Sequence, residues 1–217
     1  MLFLKGLGDS AGTTSSSTYV EIDSTKLGSV TAVSVGSNFT CAVGAEHGNE
    51  NGNTYCWGEG NRGRLGAGGT DSYATPKEVL GGVYFKTLTS GKDHTCGIGT
   101  DSVTYCWGDN AAGQTSDAIW DGSSGTRSRK QPQPIVDLVG TASLVKSGMD
   151  ALYTCAITGT GNVECWGTDF TGVHTDPYTV SGISTAVDIA VAENHTSAAL
   201  SDGTVQCWGS NASGQLG

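Results

Sequence analysis

Seven cysteines carry the most evident chemistry of this 217-residue chain, because their spacing allows disulfide bonds. Six of them form pairs separated by 15, 10 and 10 residues: Cys41 and Cys56, Cys96 and Cys106, Cys155 and Cys165. The second and third pairs enclose short stretches rich in Gly, Thr and Asp or Asn, and the first pair encloses a longer polar stretch. Short turn-forming stretches of this kind indicate β-hairpins. The spacing therefore predicts three hairpins with one cysteine on each arm.

The register of a hairpin decides whether its two cysteines can meet. If Cys155 faces Cys165, then Ile157 faces Val163 and the hairpin closes with a tip at 159–161. In an antiparallel hairpin, the two residues of a non-hydrogen-bonded pair have Cα atoms about 4.5 Å apart. This separation suits a disulfide. We therefore predict three disulfides within hairpins: Cys41–Cys56, Cys96–Cys106 and Cys155–Cys165.

The seventh cysteine, Cys207, has no partner in its own repeat, because Ser197 occupies the position ten residues before it. We expect Cys207 to be an unpaired thiol or to form an intermolecular bridge. Zinc binding is the competing use of cysteines, but zinc sites usually contain close Cys-x-x-Cys pairs, and this chain has none. No metal and no cofactor are therefore predicted.

The cysteines belong to a repeated unit that ends in Cys-Trp-Gly, with copies at 56–58, 106–108, 165–167 and 207–209. Its tryptophans are 50, 59 and 42 residues apart, which indicates one supersecondary unit used repeatedly. Short β runs and Gly-rich tails at this period argue for propeller blades. Each indole can bury a large apolar area, so we predict that the four repeat tryptophans fill the blade core: Trp57, Trp107, Trp166 and Trp208.

The repeat reads Gly-x-x-His-Thr-Cys, a short loop, and then Cys-Trp-Gly-x-Asn-x-x-Gly-Gln-Leu-Gly, which is nearly complete at 207–217. This pattern resembles the regulator of chromosome condensation repeat, in a secreted, disulfide-containing variety. The resemblance implies an all-β fold, a propeller-like array of about four blades, each a four-stranded antiparallel sheet. It covers 30–217 and leaves 1–29 as an N-terminal segment or partial preceding blade.

The family usually closes rings of seven blades, which four copies cannot do. The chain is therefore expected to be a fragment of a longer protein, an open or partial ring, or a subunit whose arc a neighbour completes. Repeated surfaces of this kind either close into rings or continue into filaments.

The composition limits the partners. The chain has 11 Lys and Arg against 21 Asp and Glu, a formal charge of −10. This balance argues against nucleic acid, which needs a basic face, and against anionic membranes. No apolar run approaches the ~20 residues of a membrane span. There is no Gly-x-Ser-x-Gly, no Walker loop and no His-Glu-x-x-His, so no catalytic residues are assigned and the chain is not expected to be an enzyme.

Two signals favour an extracellular or cell-surface location. Paired cysteines suit an oxidising compartment. Three Asn-x-Ser/Thr sequons are candidates for N-glycosylation, at Asn38, Asn194 and Asn211. Asn38 and Asn194 fall at the same repeat position, so a repeat consensus without attached glycans is the alternative interpretation.

One stretch, 115–134, is longer than its counterparts in the other repeats. It is a candidate interaction loop because it contains the non-repeat tryptophan and a basic cluster: Trp120, Arg127, Arg129 and Lys130. A solvated insertion without a partner is the alternative. The loop at 44–53 is a second candidate.

The leading functional hypothesis is an extracellular structural or adhesive module that docks other proteins or copies of itself, such as a filament subunit. The alternative is a soluble binding regulator, either an enzyme inhibitor or an exchange factor for a small GTPase. Exchange factors act inside cells, where disulfides do not persist, so the inhibitor fits better. A sugar-binding or hydrolytic propeller is a third class.

Overall fold

The computed structural model describes residues 16, 19–22, 27–45, 52–116 and 127–217. These residues form fifteen strands in four antiparallel sheets, which we call blades 1 to 4. Blade 1 contains β1 (Ser29–Val35), β2 (Phe39–Ala45), β3 (Asn53–Gly58) and β4 (Tyr73–Glu78). Blade 2 contains β5 (Phe85–Ser90), β6 (His94–Gly99), β7 (Thr104–Asp109) and β8 (Ser128–Pro134).

Blade 3 contains β9 (Ala142–Lys146), β10 (Leu152–Thr158), β11 (Asn162–Asp169) and β12 (Gly172–Thr179). Blade 4 contains β13 (Ala186–Val191), β14 (His195–Leu200) and β15 (Val205–Gly209). A short 3-10 turn, Asn61–Gly63, follows β3. The predicted fold class is confirmed, with one difference: blade 4 has three strands in the described part of the chain. The expected preceding blade at 1–29 lies mostly outside the described residues and remains a proposal.

The predicted hairpin register is confirmed. Cys155 pairs with Cys165 and Ile157 pairs with Val163, and the strands end on either side of the tip at 159–161. Because side chains alternate across a strand, this register gives each blade two distinct faces. One face carries the paired cysteines, and the other carries the tryptophan.

The cysteine face of each blade packs against the tryptophan face of the next blade along the chain. Three hydrophobic clusters fill these interfaces, and their members come from neighbouring blades. Between blades 2 and 3, for example, Cys96 and Cys106 share a cluster with Val145, Ala156 and Trp166. The core of this protein therefore lies between its sheets, so a blade depends on its neighbours for stability.

The glycine that ends each Cys-Trp-Gly lies in the left-handed half of backbone space. Gly167 has a φ of 105°, and an added Cβ would lie 2.4 Å from the carbonyl oxygen of Leu152 on the adjacent strand. The three counterparts of Gly167 have φ values of 108° to 115° and similar close contacts: Gly58, Gly108 and Gly209. Only glycine allows both this backbone angle and this close approach.

Replacing this glycine is expected to lower the free energy of unfolding by more than backbone strain alone would. Gly167→Ala should lower the free energy of unfolding by about 3 kcal/mol, since left-handed strain adds to displacement of the β10 backbone. Gly182→Ala is the matched control, because Gly182 has a φ of 86° and open space around the added methyl group. Urea unfolding without reductant measures both variants. Equal losses would contradict the close-approach explanation.

Candidate functional site

The three disulfides lie inside the blade interfaces. Their six cysteines are at most 1% exposed, and the paired Cα atoms are 4.1 Å apart. They are the pairs that the hairpin register predicts: Cys41–Cys56, Cys96–Cys106 and Cys155–Cys165. The sulfur of Cys96 lies 3.6 Å from the hydroxyl of Thr154 in the next blade. The disulfides therefore form part of the surface on which the following blade packs.

Cys207 is a free cysteine on the cysteine face of blade 4, where its side chain is half-buried. It pairs across the sheet with Ser197, whose hydroxyl donates a hydrogen bond of 3.0 Å to the cysteine sulfur. The serine thus occupies the place of a partner cysteine. Whether Cys207 bridges to another molecule stays a prediction.

The repeat tryptophans join one blade to the preceding one. Trp57, Trp107 and Trp166 are at most 4% exposed, and Trp208 is half-buried. The indole N–H of Trp107 donates to the carbonyl of Arg64 at 3.0 Å, and that of Trp166 donates to the carbonyl of Gln114 at 3.1 Å. In both cases the acceptor lies seven residues after the tryptophan of the preceding blade. The Gly-rich tail therefore positions a carbonyl for the next tryptophan.

A second set of contacts runs through the residue two positions before each first cysteine. In blade 2, Nε2 of His94 lies 2.7 Å from the hydroxyl of Thr154 in blade 3. In blade 3, the Tyr153 hydroxyl lies 2.8 Å from the Thr196 hydroxyl in blade 4 and donates to the His195 carbonyl. These side chains connect neighbouring blades.

His94 is fully buried, and burial lowers its pKa from 6.5 to about 3. The folded state therefore holds the neutral imidazole, and the unfolded state takes up a proton below pH 6.5. Stability due to this group is complete above pH 6.5 and falls as the pH drops toward 3, by up to about 1.4 kcal/mol per pH unit.

Replacing His94 should remove this acid sensitivity. His94→Phe, which copies Phe39 at the same repeat position, is expected to retain more stability than the parent between pH 6 and 4 after both are referenced to pH 7.5. His195→Phe serves as the control, because His195 is only half-buried. Chemical unfolding across this pH range measures the difference. Parallel pH profiles for the parent and His94→Phe would contradict the assignment.

An ionic cluster joins the tail of blade 1 to blade 2, and sequence reasoning missed it. Arg62 pairs with Asp109, and Arg64 lies 2.9 Å from Asp93 and 3.3 Å from Glu59. The hydrogen bond to Asp109 raises the pKa of Arg62. Arg62 is half-exposed, so the cluster offers charge at the surface. The available sequence signal was the pair of arginines inside the Gly-rich tail.

The predicted interaction loop lies only partly within the described residues and stays a prediction. Trp120 lies in 117–126, outside the described residues. Arg129 turns toward its own blade, where its guanidinium donates to the Ser116 carbonyl. Arg127 and Lys130 are exposed. Most of the second candidate loop, 46–51, is also outside the described residues.

The three sequons differ in accessibility. Asn38 is half-buried, and its amide donates to Glu59 at 3.0 Å. Asn194 is exposed. Asn211 is exposed too, but the Oδ1 atom of its side chain accepts a hydrogen bond from the backbone N–H of Leu216 at 3.0 Å. Glycosylation stays a prediction, and Asn194 is the sequon whose side chain is both exposed and least constrained.

Neither a metal-ligand cluster nor a membrane-spanning helix occurs in the described ranges. No group of three or more His, Cys, Asp or Glu residues there could hold a metal ion. None of the helices in the same ranges has the length and apolar character needed to cross a membrane.

Two parts of the chain match models of the regulator of chromosome condensation (RCC1) repeat, residues 51–98 and 186–215. The human E3 ubiquitin-protein ligase HERC2 is 30% identical over 142 residues, which are 64% of this chain and 3% of HERC2. The chain thus spans a small part of this relative. The 142 residues of similarity to HERC2 are more than the two matched repeats contain together.

Solved structures share the fold at low sequence identity. Human WBSCR16 superposes with a TM-score of 0.72 at 16% identity, and the match covers 89% of this chain and 50% of the WBSCR16 chain. Yeast RCC1 (Prp20), solved with Kap60, has a TM-score of 0.65 at 21% identity. The match covers 85% of this chain and 44% of the yeast chain. The ectodomain of the Arabidopsis thaliana receptor kinase ACR4 has a TM-score of 0.52 at 20% identity. The match covers 87% of this chain and 51% of the ACR4 chain.

Proposed function

Because this chain carries repeats of the regulator of chromosome condensation type, we propose that it is a protein-docking module of an extracellular or cell-surface compartment. The observation that carries the proposal is the set of three disulfides buried between blades. They belong to the interfaces on which the array depends, and disulfides persist in oxidising compartments.

Its docking role is structural or adhesive. The described residues form a stacked repeat array, and repeat proteins bind partners through extended surfaces. Two fold relatives support this function: yeast RCC1 was solved bound to the protein Kap60, and ACR4 presents the fold in a receptor ectodomain. The acidic balance of the chain favours partners with basic surfaces.

Localisation in the source cells tests this proposal. Surface labelling with a membrane-impermeant reagent and fractionation of the medium should find the protein outside the cytosol, in association with other proteins. Protein found in the cytosol with reduced cysteines would contradict the extracellular function. A matched intracellular marker controls for lysis.

A soluble binding regulator is the second candidate, and the half-exposed ionic cluster around Arg62 favours it. Such a regulator would form a stoichiometric complex with one soluble protein. Arg62→Ala should then weaken that complex, because rim charges steer association. Lys130→Ala, which removes another exposed charge, controls for net charge.

A further inference from the structure

The connection between β9 and β10 departs from the repeat. The strand bounds leave five residues there, 147–151, whereas the same connection has three residues in blades 1, 2 and 4: 36–38, 91–93 and 192–194. In each shorter connection, the first N–H donates at 2.9 Å to the carbonyl of the residue that begins the next strand. In blade 3, the N–H of Ala151 donates at 2.9 Å to the Gly148 carbonyl instead, which closes a β-turn. Met149 and Asp150 occupy its two central positions, and we call 147–151 the Met149 turn.

The Met149 turn contacts each of the other three blades. The Ser37 hydroxyl of blade 1 donates to the Met149 carbonyl at 3.0 Å. The backbone N–H of Lys92 in blade 2 donates to the last carbonyl of the turn at 3.0 Å. Blade 4 packs so closely that a Cβ on Gly148 would lie 2.4 Å from the Val191 carbonyl oxygen. The turn is therefore held in one position by contacts with its backbone.

The two central residues of the turn are exposed. Met149 is 42% exposed, although its side chain is apolar, and Asp150 is exposed as well. The contact of Met149 with Ser37 uses the backbone carbonyl, which every residue type has, so the thioether side chain is not needed for it. The turn also lies within the array, because the structure describes both blades that flank blade 3. A single exposed apolar side chain is common, so a second observation is needed to assign a role.

The charge distribution supplies that second observation. Residues 147–217 contain seven Asp and Glu and no Lys or Arg. Five of the seven acidic residues are exposed: Asp150, Asp176, Asp188, Glu193 and Asp202. Glu193 follows Ala192, which packs against Gly148 of the turn. Since Lys92 is exposed on the blade 2 side, the acidic part of this end of the array lies over blades 3 and 4.

We propose that the Met149 turn, together with Glu193 of the adjoining connection, is the docking surface for a segment of another protein in which an apolar residue is flanked by Lys or Arg. The flexible, polarisable thioether of Met149 adapts to the apolar residue, and the carboxylates of Asp150 and Glu193 attract the flanking cations. Because three blades already hold the turn, little conformational entropy is lost on binding. The inference rests on the proposed docking function and names the class of partner.

A second copy of this chain is a poorer occupant than a basic segment of another protein. Each copy carries a formal charge of −10, so two copies repel each other before a contact forms. The same repulsion disfavours nucleic acids and anionic membranes. The charge pattern therefore favours polypeptides with clustered Lys and Arg.

A phage-displayed library of random twelve-residue peptides is the probe, and the intact oxidised protein is the bait. The bait carries Asn194→Gln, so that no glycan can border Glu193. Selection should enrich peptides with an apolar residue between Lys or Arg residues, and a synthetic peptide of the enriched sequence should bind saturably in fluorescence anisotropy. Replacing its apolar residue with Ser should weaken binding about tenfold, because a few buried anchor residues carry most of the affinity of such contacts.

A substitution in the turn separates docking from folding. Met149→Gln keeps the length of the side chain and removes its apolar character, so it should weaken peptide binding about fivefold. The urea midpoint of this variant should stay unchanged, because the bond from Ser37 is made to the backbone.

Two double variants test the role of the carboxylates. Asp150→Asn with Glu193→Gln should weaken peptide binding about tenfold at low salt, because these charges lie at the docking surface. Asp176→Asn with Asp202→Asn is the matched control, since it removes two exposed charges from other parts of blades 3 and 4. The control should change the affinity about twofold at most, because solvent and salt screen distant charges.

Equal losses in the two double variants would show that the peptide responds only to the overall charge, and would overturn the proposal. No enrichment, enrichment of peptides without Lys or Arg, or full binding by Met149→Gln would overturn it too. A dimer in light scattering that Met149→Gln abolishes would make a second copy the occupant, which also contradicts the proposal. A cytosolic, reduced native protein would instead defeat the proposed function, even if the peptide bound.

Discussion

Reduction of the three disulfides is expected to lower the free energy of unfolding by about 8 kcal/mol and to unfold the array at room temperature. Each bond closes a loop of 10 or 15 residues, which corresponds to about 2.5–3 kcal/mol in the chain-entropy account. Folded domains have about 5–15 kcal/mol in total, so this loss consumes most of the stability. Circular dichroism in urea, with and without dithiothreitol, measures the effect.

Cys207→Ser is the matched control for this prediction. Cys207 is a free thiol, so its replacement should shift the urea midpoint little and leave the response to reductant intact. The double variant Cys155→Ala, Cys165→Ala should lose about a third of the full effect. A reduced protein that unfolds at the same urea concentration as the oxidised protein would show that the bonds do not stabilise the array.

Trp166→Ala is expected to lower the free energy of unfolding by about 3–5 kcal/mol, an effect second only to reduction of the disulfides. The indole is fully buried between blades 2 and 3, and its N–H donates to the Gln114 carbonyl at 3.1 Å. Truncation leaves a large cavity and an unpaired carbonyl in that interface. Thermal and urea unfolding of the oxidised variant measure the loss.

Trp208→Ala tests whether this cost comes from the interface or from the residue type. Trp208 occupies the same repeat position but is half-buried, so its loss should cost at most about 2 kcal/mol. Similar losses for Trp166→Ala and Trp208→Ala would mean that the blade interface contributes little to stability.

The hairpin register could be predicted from the sequence because the residue numbers of opposed residues in an antiparallel hairpin have a constant sum. One disulfide-compatible pair, Cys155 with Cys165, then sets the partner of every neighbouring residue. The repeated Cys-Trp-Gly likewise indicated which side chains fill the interfaces. These inferences depend on local spacing, which a single sequence contains.

Contacts between blades could not be predicted in the same way. The pairing of Arg64 with Asp93 joins the tail of blade 1 to the connection between β5 and β6 of blade 2, and no periodicity specifies it. Within the predicted basic loop, Arg129 donates to the Ser116 carbonyl, a contact that the sequence pattern does not specify.

The most direct test of the central claim, a disulfide-linked docking module of an oxidising compartment, is the count of free thiols in protein purified from its source without reductant. Cells are quenched with acid, and the protein is unfolded, alkylated and weighed by mass spectrometry. The account predicts one alkylated cysteine, Cys207, and three intact disulfides. Alkylation of all seven cysteines would contradict it, because the bonds that support the blade interfaces would then be absent where the protein works.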